Sequence, residues 1–122
     1  FSNKTEKEKL DSLTFEYVVK EIKNELKANQ KLDYKYILLD VPLLFESKLD
    51  ELCDYTIGVT ASKKEKIKRI CRRDNLSKEK ALQRLNSQPN DDFFMQNCDT
   101  VINNENKAET IKKVNEIMLK LQ

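Results

Sequence analysis

The sequence has no histidine, no tryptophan, one glycine and two prolines in 122 residues. Lacking histidine, it offers no imidazole base, no Ser-His triad and no imidazole metal ligand. Its three cysteines, Cys53, Cys71 and Cys98, form no CxxC pair, so structural zinc and a disulfide framework are both unindicated. A reduced, intracellular, cytoplasmic protein with thiols in or near its core is the expectation. The longest apolar run is Val41-Pro42-Leu43-Leu44-Phe45, far short of the roughly 20 residues of a membrane span, and no secretory signal is visible. Neither sign of charge dominates. With 23 Lys+Arg against 21 Asp+Glu, the net charge of +2 is too small for a nucleic-acid or membrane signature.

What is present argues for a globular α/β chain. The length suits one domain of about 100–150 residues, and the 39% of hydrophobic residues recur with clear periods, which a disordered chain would lack. Over 14–29, Phe15, Val18, Val19, Ile22 and Leu26 fall on one helical face, and a shorter helix is expected before it over 4–12. After a polar turn at 31–35, the run Tyr36-Ile37-Leu38-Leu39-Asp40-Val41 has the look of a strand buried on both faces, closed by Pro42. A second such run is 55–60, and a weaker third is 99–103. Between them, Ser62 and Glu65 match a capping box, opening a helix that turns Ile67, Ile70 and Cys71 inward. Ser77 caps the next helix, which runs to about Ser87 with Ala81, Leu82 and Leu85 facing the core and is ended by Pro89. A last helix over 107–121 places Ile111, Val114, Ile117, Met118 and Leu121 on one side. Strand alternating with helix is the pattern of a parallel sheet, since parallel neighbours need a crossover.

Three places hold candidate chemistry. Asp40 ends the first expected strand, where open α/β sheets bind ligands, although an acid there also suits a turn cap or a lysine pair. Arg69 and Arg73 are four apart and share a helix face able to fork one polyphosphate, and Arg84 with Gln88 repeats the spacing. The same stretch, with Lys63, Lys64, Lys66, Lys68 and Arg72, also fits a plain solvated basic surface. Asn103-Asn104, past the third strand, offers amide donors and acceptors to a base edge, or forms an ordinary turn. Cys71 is read as core filler.

Taken together, these stretches resemble the dephospho-CoA kinase family. The resemblance starts at Phe1-Ser2 and Leu10-Asp11-Ser12-Leu13-Thr14, and continues through Leu39-Asp40-Val41-Pro42-Leu43-Leu44-Phe45-Glu46-Ser47. It then takes in Arg69-Ile70-Cys71-Arg72-Arg73-Asp74 with Ser77, Arg84 with Gln88, and Asp99-Thr100-Val101-Ile102 with Asn104. It implies part of a P-loop kinase-like three-layer fold, with parallel strands at about 36–41, 55–60 and 99–103. The implied reaction phosphorylates the 3′-hydroxyl of dephospho-CoA with ATP and Mg2+ to give coenzyme A. By the same resemblance, Asp40 stands near the magnesium and phosphates, while Leu43, Leu44, Phe45 and Glu46 line the acceptor side. Arg69 and Arg73 would belong to a lid over the ATP phosphates with Arg84 in support, and Asn104 to the loop holding adenine. No direct protein ligand to the metal is implied within these residues.

The departures are specific. The family's Gly-x-x-Gly-x-Gly-Lys-Ser/Thr phosphate loop has no counterpart here, and Gly58 alone cannot supply one. The family's His-Pro pair is replaced by Phe15-Glu16, a usual lysine by Phe94, and the acid before the final Asn by Asn103. In this architecture the phosphate-loop strand lies between 36–41 and 55–60, so its absence would leave buried polar groups unsatisfied at about 1–3 kcal/mol each. A single, amino-terminally incomplete kinase-like domain is therefore expected. An amino-terminal segment or a second chain would complete the sheet, or the strands would re-pair directly. The rivals are a non-catalytic binding or interaction module that kept part of the fold and, more weakly, a basic helical nucleic-acid binder over 63–73.

Overall fold

The computed structural model describes residues 4–122; Phe1 and Ser2, where the family resemblance begins, lie outside them. Two compact units divide at residue 53.

The first unit holds one long helix, α1 (Lys4–Gln30), where two helices were expected. The join is explained by Thr14, whose hydroxyl donates to the Leu10 carbonyl at 2.8 Å. This back-bond keeps Thr14 inside the helix and leaves it unavailable as a cap. Phe15, Val19, Ile22 and Leu26 are half-buried among exposed neighbours, as their spacing predicts, whereas Val18, expected on the same face, is exposed. Residues 42–48 coil into consecutive turns that lead into a short 3-10 turn, Leu49–Leu52, with Leu49 buried to 2% exposure.

The expected strand at 36–41 is corrected: among the described residues it is not a strand. A strand exists by virtue of its neighbour, and a short apolar segment without a ladder gains little from extension. The two strands that form pair with each other, and the described sheet has no third strand. Ile37 is 43% exposed and Leu38 86%.

The second unit contains the parallel pair β1 (Ile57–Thr60) and β2 (Thr100–Asn103), in register from Ile57 opposite Thr100 to Thr60 opposite Asn103. Both lie within the spans expected at 55–60 and 99–103. The crossover carries α2 (Lys63–Asp74), α3 (Lys78–Asn86) and α4 (Asp91–Asn97), and α5 (Lys107–Leu121) follows β2. Helix α4 packs on both strands, α5 on β2, and α2 on α3. Ala61, Ala81, Ile102 and Ile117 are buried.

At Gly58 the backbone of β1 closely approaches α4. A Cβ there would sit 3.1 Å from Cys98 Sγ, 3.1 Å from Phe94 Cβ and 3.4 Å from Val101 Cγ2. The glycine therefore serves proximity: its φ is not positive, and only a hydrogen fits between β1 and α4. Burial of β1 is one-sided, with Gly58 buried and Ile57 and Val59 exposed, whereas Ile102, opposite Val59 on β2, is buried. Phe94, the departure from the family lysine, is part of this packing and stands edge-on to Phe93.

The amino-terminal ends of the strands are clipped by Asp99. Its Oδ2 accepts from the Thr56 amide at 2.7 Å and the Thr56 hydroxyl at 2.8 Å, while the Asp99 amide donates back to Thr56 Oγ1. These Thr56 bonds hold the Asp99 carboxyl below the usual carboxylate range. Burial, with Asp99 alongside, pushes the Cys98 thiol up.

Candidate functional site

The serine caps expected from the sequence form at two helix starts, whereas Glu65, expected to turn back to the Ser62 amide, instead bonds Arg69 while that amide meets Glu105. Ser62 Oγ accepts from the Glu65 amide and Ser77 Oγ from the Lys80 amide, both at 3.3 Å, which satisfies amides that no helical carbonyl reaches. In the Ser62 box, Glu65 Oε1 takes the Arg69 Nε at 2.9 Å. Helix α2 is thereby fixed at the carboxyl end of β1, the edge where α/β sheets present ligand-binding groups.

Two clusters form along α2. At its start, Arg69 joins Glu65 to the segment after β2, its Nη2 donating to the Asn104 carbonyl at 2.8 Å. Asn104 is itself anchored, its amide donating to the Thr60 carbonyl at 2.8 Å as a continuation of the ladder. Its side-chain Oδ1 accepts from the Thr110 hydroxyl at 3.1 Å. Glu105 completes the group: hydrogen bonds from the Ser62 side chain first, then Asn103, hold its carboxyl below the ordinary range. Arg69 and Asn104, singled out separately in the sequence, are thus in direct contact.

At the end of α2, Arg73 and Arg84 meet on one carboxylate. Arg73 reaches Asp74 with Nε and Nη2, both at 2.9 Å, and Arg84 Nη1 joins the same Oδ2. The bidentate bond to Arg73 is the main reason that Asp74 is held below the ordinary carboxylate range. The same bond raises the Arg73 guanidinium. Each guanidinium has about five N–H donors, so three bonds to Asp74 leave most donors available. Arg73 is 72% exposed and Arg84 47%. Arg69 and Arg73 share a helix, yet their present partners differ: Arg69 braces the loop after β2, while Arg73 holds the neighbouring Asp74, which Arg84 reaches from α3.

Sequence reasoning took no account of Asp74, Glu105 or Asp99 as organisers, nor of α4. The signal for α4 was present, since Asn90 followed by Asp91 and Asp92 is a cap with an acidic first turn, and Asn90 Oδ1 accepts from the Phe93 amide. Lys66 of α2 pairs with Asp91 at that start.

In the first unit, Asp40 is exposed, and Leu43, Leu44, Phe45 and Glu46 occupy the turns at 42–48. Ser47 Oγ donates to the Leu43 carbonyl at 2.6 Å, and the Leu49 amide to the Leu44 carbonyl at 3.0 Å. Leu43 is 41% exposed. Lys48 closes the segment in the left-handed region, φ 57°. Among the described residues no group of three or more His, Cys, Asp or Glu could hold a metal ion, and no helix is long and apolar enough to cross a membrane.

A parallel-stranded α/β unit with paired arginines beside its crossover helices is a scaffold suited to anionic ligands. The comparisons with known proteins narrow that class. The dephospho-CoA kinase family profile matches residues 1–110, so the chain belongs to the dephospho-CoA kinase family. A dephospho-CoA kinase of Listeria innocua is 39% identical over 115 residues, covering 93% of this chain and 58% of that protein. Those of Fusobacterium nucleatum and Clostridium tetani are 37% and 36% identical, over 93% and 88% of this chain and 58% and 47% of theirs. The chain thus spans about half the length of the curated relatives it matches. Among solved structures, TT1252 from Thermus thermophilus shares the fold, with a TM-score of 0.81 at 24% identity over 98% of this chain and 61% of that one.

Proposed function

We propose that this chain supplies the acceptor side and the arginine lid of a dephospho-CoA kinase, which transfers the γ-phosphoryl group of ATP to the 3′-hydroxyl of dephospho-CoA to give coenzyme A. The observation that supports this most is the pairing of Arg73 and Arg84, residues of the family-like motif, on one carboxylate. Phosphoryl transfer depends on neutralising and positioning phosphate oxygens more than on a base. In this assignment Arg73 and Arg84 contact the ATP phosphates. Arg69 acts with Asn104 at the adenine side. Leu43, Leu44, Phe45 and Glu46 contact dephospho-CoA, and both units serve one kinase domain.

Asp40 is the carboxylate nearest the reacting phosphates in this scheme. A lone exposed carboxylate suits Mg2+, which keeps several waters and takes further ligands from substrate phosphates; when bound, the ion would neutralise developing phosphate charge. The reaction also requires a glycine-rich phosphate cradle that these 122 residues do not contain, so turnover is assigned to the chain together with a segment or partner chain that supplies the cradle and completes the sheet. Calorimetric titration with ATP and with dephospho-CoA, alone and with a glycine-loop segment added, tests the proposal. Binding of both with turnover only in the presence of that segment is expected. Binding of neither in either format would end it. Binding without turnover in both formats would favour a non-catalytic binding module.

A further inference from the structure

Asp74 is the last residue of α2 and carries a negative charge where the helix dipole disfavours one. The next residue, Asn75, takes the left-handed conformation that stops the helix. What offsets the unfavourable position is a pair of guanidiniums from two helices: Arg73 beside it in sequence and Arg84 across the turn on α3. Each arginine on its own is a flexible side chain with nothing to hold it. Asp74 engages the Nε and Nη2 edge of Arg73 and one Nη1 donor of Arg84, and its own side chain is only 24% exposed. The two cations would otherwise repel, and one shared anion holds them side by side. The remaining N–H groups make no bond to Asp74 and belong to side chains that are 72% and 47% exposed.

We propose that Asp74 is a positioning residue for polyphosphate recognition: it grips one edge of Arg73 and one donor of Arg84, so that the unused donors form a single preorganised fork for a nucleotide polyphosphate. Identifying the anion as ATP rests on the kinase assignment above, whereas the fork itself does not. Its energetic logic is preorganisation, since side-chain freedom surrendered on folding is not surrendered again on binding. The loss of acidic charge and the loss of order pull in opposite directions. Replacing Asp74 by Asn makes the cluster more positive, so long-range attraction alone tightens anion binding, while the fork predicts weaker binding.

The test is calorimetric titration of the full chain with inorganic tripolyphosphate, ATP and adenosine, using the parent, D74N, D74E and R84K. The fork predicts tripolyphosphate and ATP binding about tenfold weaker in D74N, the scale of one charge-assisted hydrogen bond. D74E should recover most of the loss, and adenosine affinity should not move. R84K keeps the charge but lacks the planar fork, so it too should weaken tripolyphosphate; should D74N fail to fold, D74S, which also removes the carboxylate, is read in its place against the same expectation. Equal or tighter tripolyphosphate binding by folded D74N overturns the inference. So do an equal fall in adenosine affinity, which marks general collapse, and a parent that binds no tripolyphosphate. A parent that binds tripolyphosphate through the fork but never binds dephospho-CoA leaves the inference standing and removes the kinase assignment.

Discussion

Replacing Gly58 by Ala adds one methyl group at a close contact between β1 and α4. The new carbon would lie 3.1 Å from both Cys98 Sγ and Phe94 Cβ, and 3.4 Å from Val101 Cγ2. Comfortable carbon separations are about 3.5–4.0 Å, so α4 must retreat from β1 by a few tenths of an ångström. Phe94 Cβ is tied directly to the helix backbone and cannot swing aside. Overpacking of this kind costs about 1–3 kcal/mol. Ala offsets roughly 0.5–1 kcal/mol of that by reducing the freedom of the unfolded chain. A net loss of about 0.5–2 kcal/mol follows. For a unit of 60–100 residues each kcal/mol moves the midpoint by about 4–8 °C, so a Tm drop of about 2–16 °C is expected by circular dichroism. Thiol reactivity of Cys98 reports the same event independently, because retreat of α4 uncovers it. A Cys98→Ala change in the Gly58→Ala background removes one of the two short contacts and should recover part of the loss. A Gly58→Ala protein melting at or above the parent, with Cys98 no more reactive, would refute the packing argument.

Further outcomes follow from the same contacts. Asp74, Asp99 and Glu105 all titrate below their ordinary values in the folded chain. Their stabilisation is therefore complete above the unfolded carboxylate range of about 3.9–4.3 and is lost as pH falls through the lower folded values. Tm should be flat near neutrality and fall modestly in acid, and Asp99→Asn should lower the neutral plateau while reducing the acid dependence. Ser62→Ala removes the α2 cap and should cost about 1 kcal/mol in chemical denaturation, while raising the Glu105 pKa observed by NMR titration. In the kinase assembly, Arg73→Ala should lower kcat for phosphoryl transfer by about 10²–10³, the usual scale for one lost transition-state donor.

The helices were legible where their ends carry local chemistry. Ser62, Ser77 and the apolar spacing of 107–121 locate α2, α3 and α5 because caps and periodicity act within a turn or two. The same locality misled at Thr14, where a residue that often starts a helix bonds back to Leu10 inside one. The segment 36–41 has a strand's composition, yet strand formation depends on a partner, and composition says nothing of what is available to pair. The site was partly legible. Arg69, Arg73, Arg84 and Asn104 stood out as residue types, and their family resemblance carried the function. That Arg69 meets Asn104, and that Arg73 and Arg84 share Asp74, depends on how α2 turns into α3 and where β2 ends. Both are long-range consequences that spacing along the chain does not encode.

The measurement that bears most directly on the central claim is transfer of label from γ-labelled ATP to dephospho-CoA by the native protein that contains these residues. Label on the ribose 3′-hydroxyl, with transfer sharply reduced by Arg73→Ala and by Asp40→Asn, is the predicted result. Label that never reaches dephospho-CoA, or transfer indifferent to both substitutions, would contradict the assignment of this chain to the acceptor side and lid of the kinase.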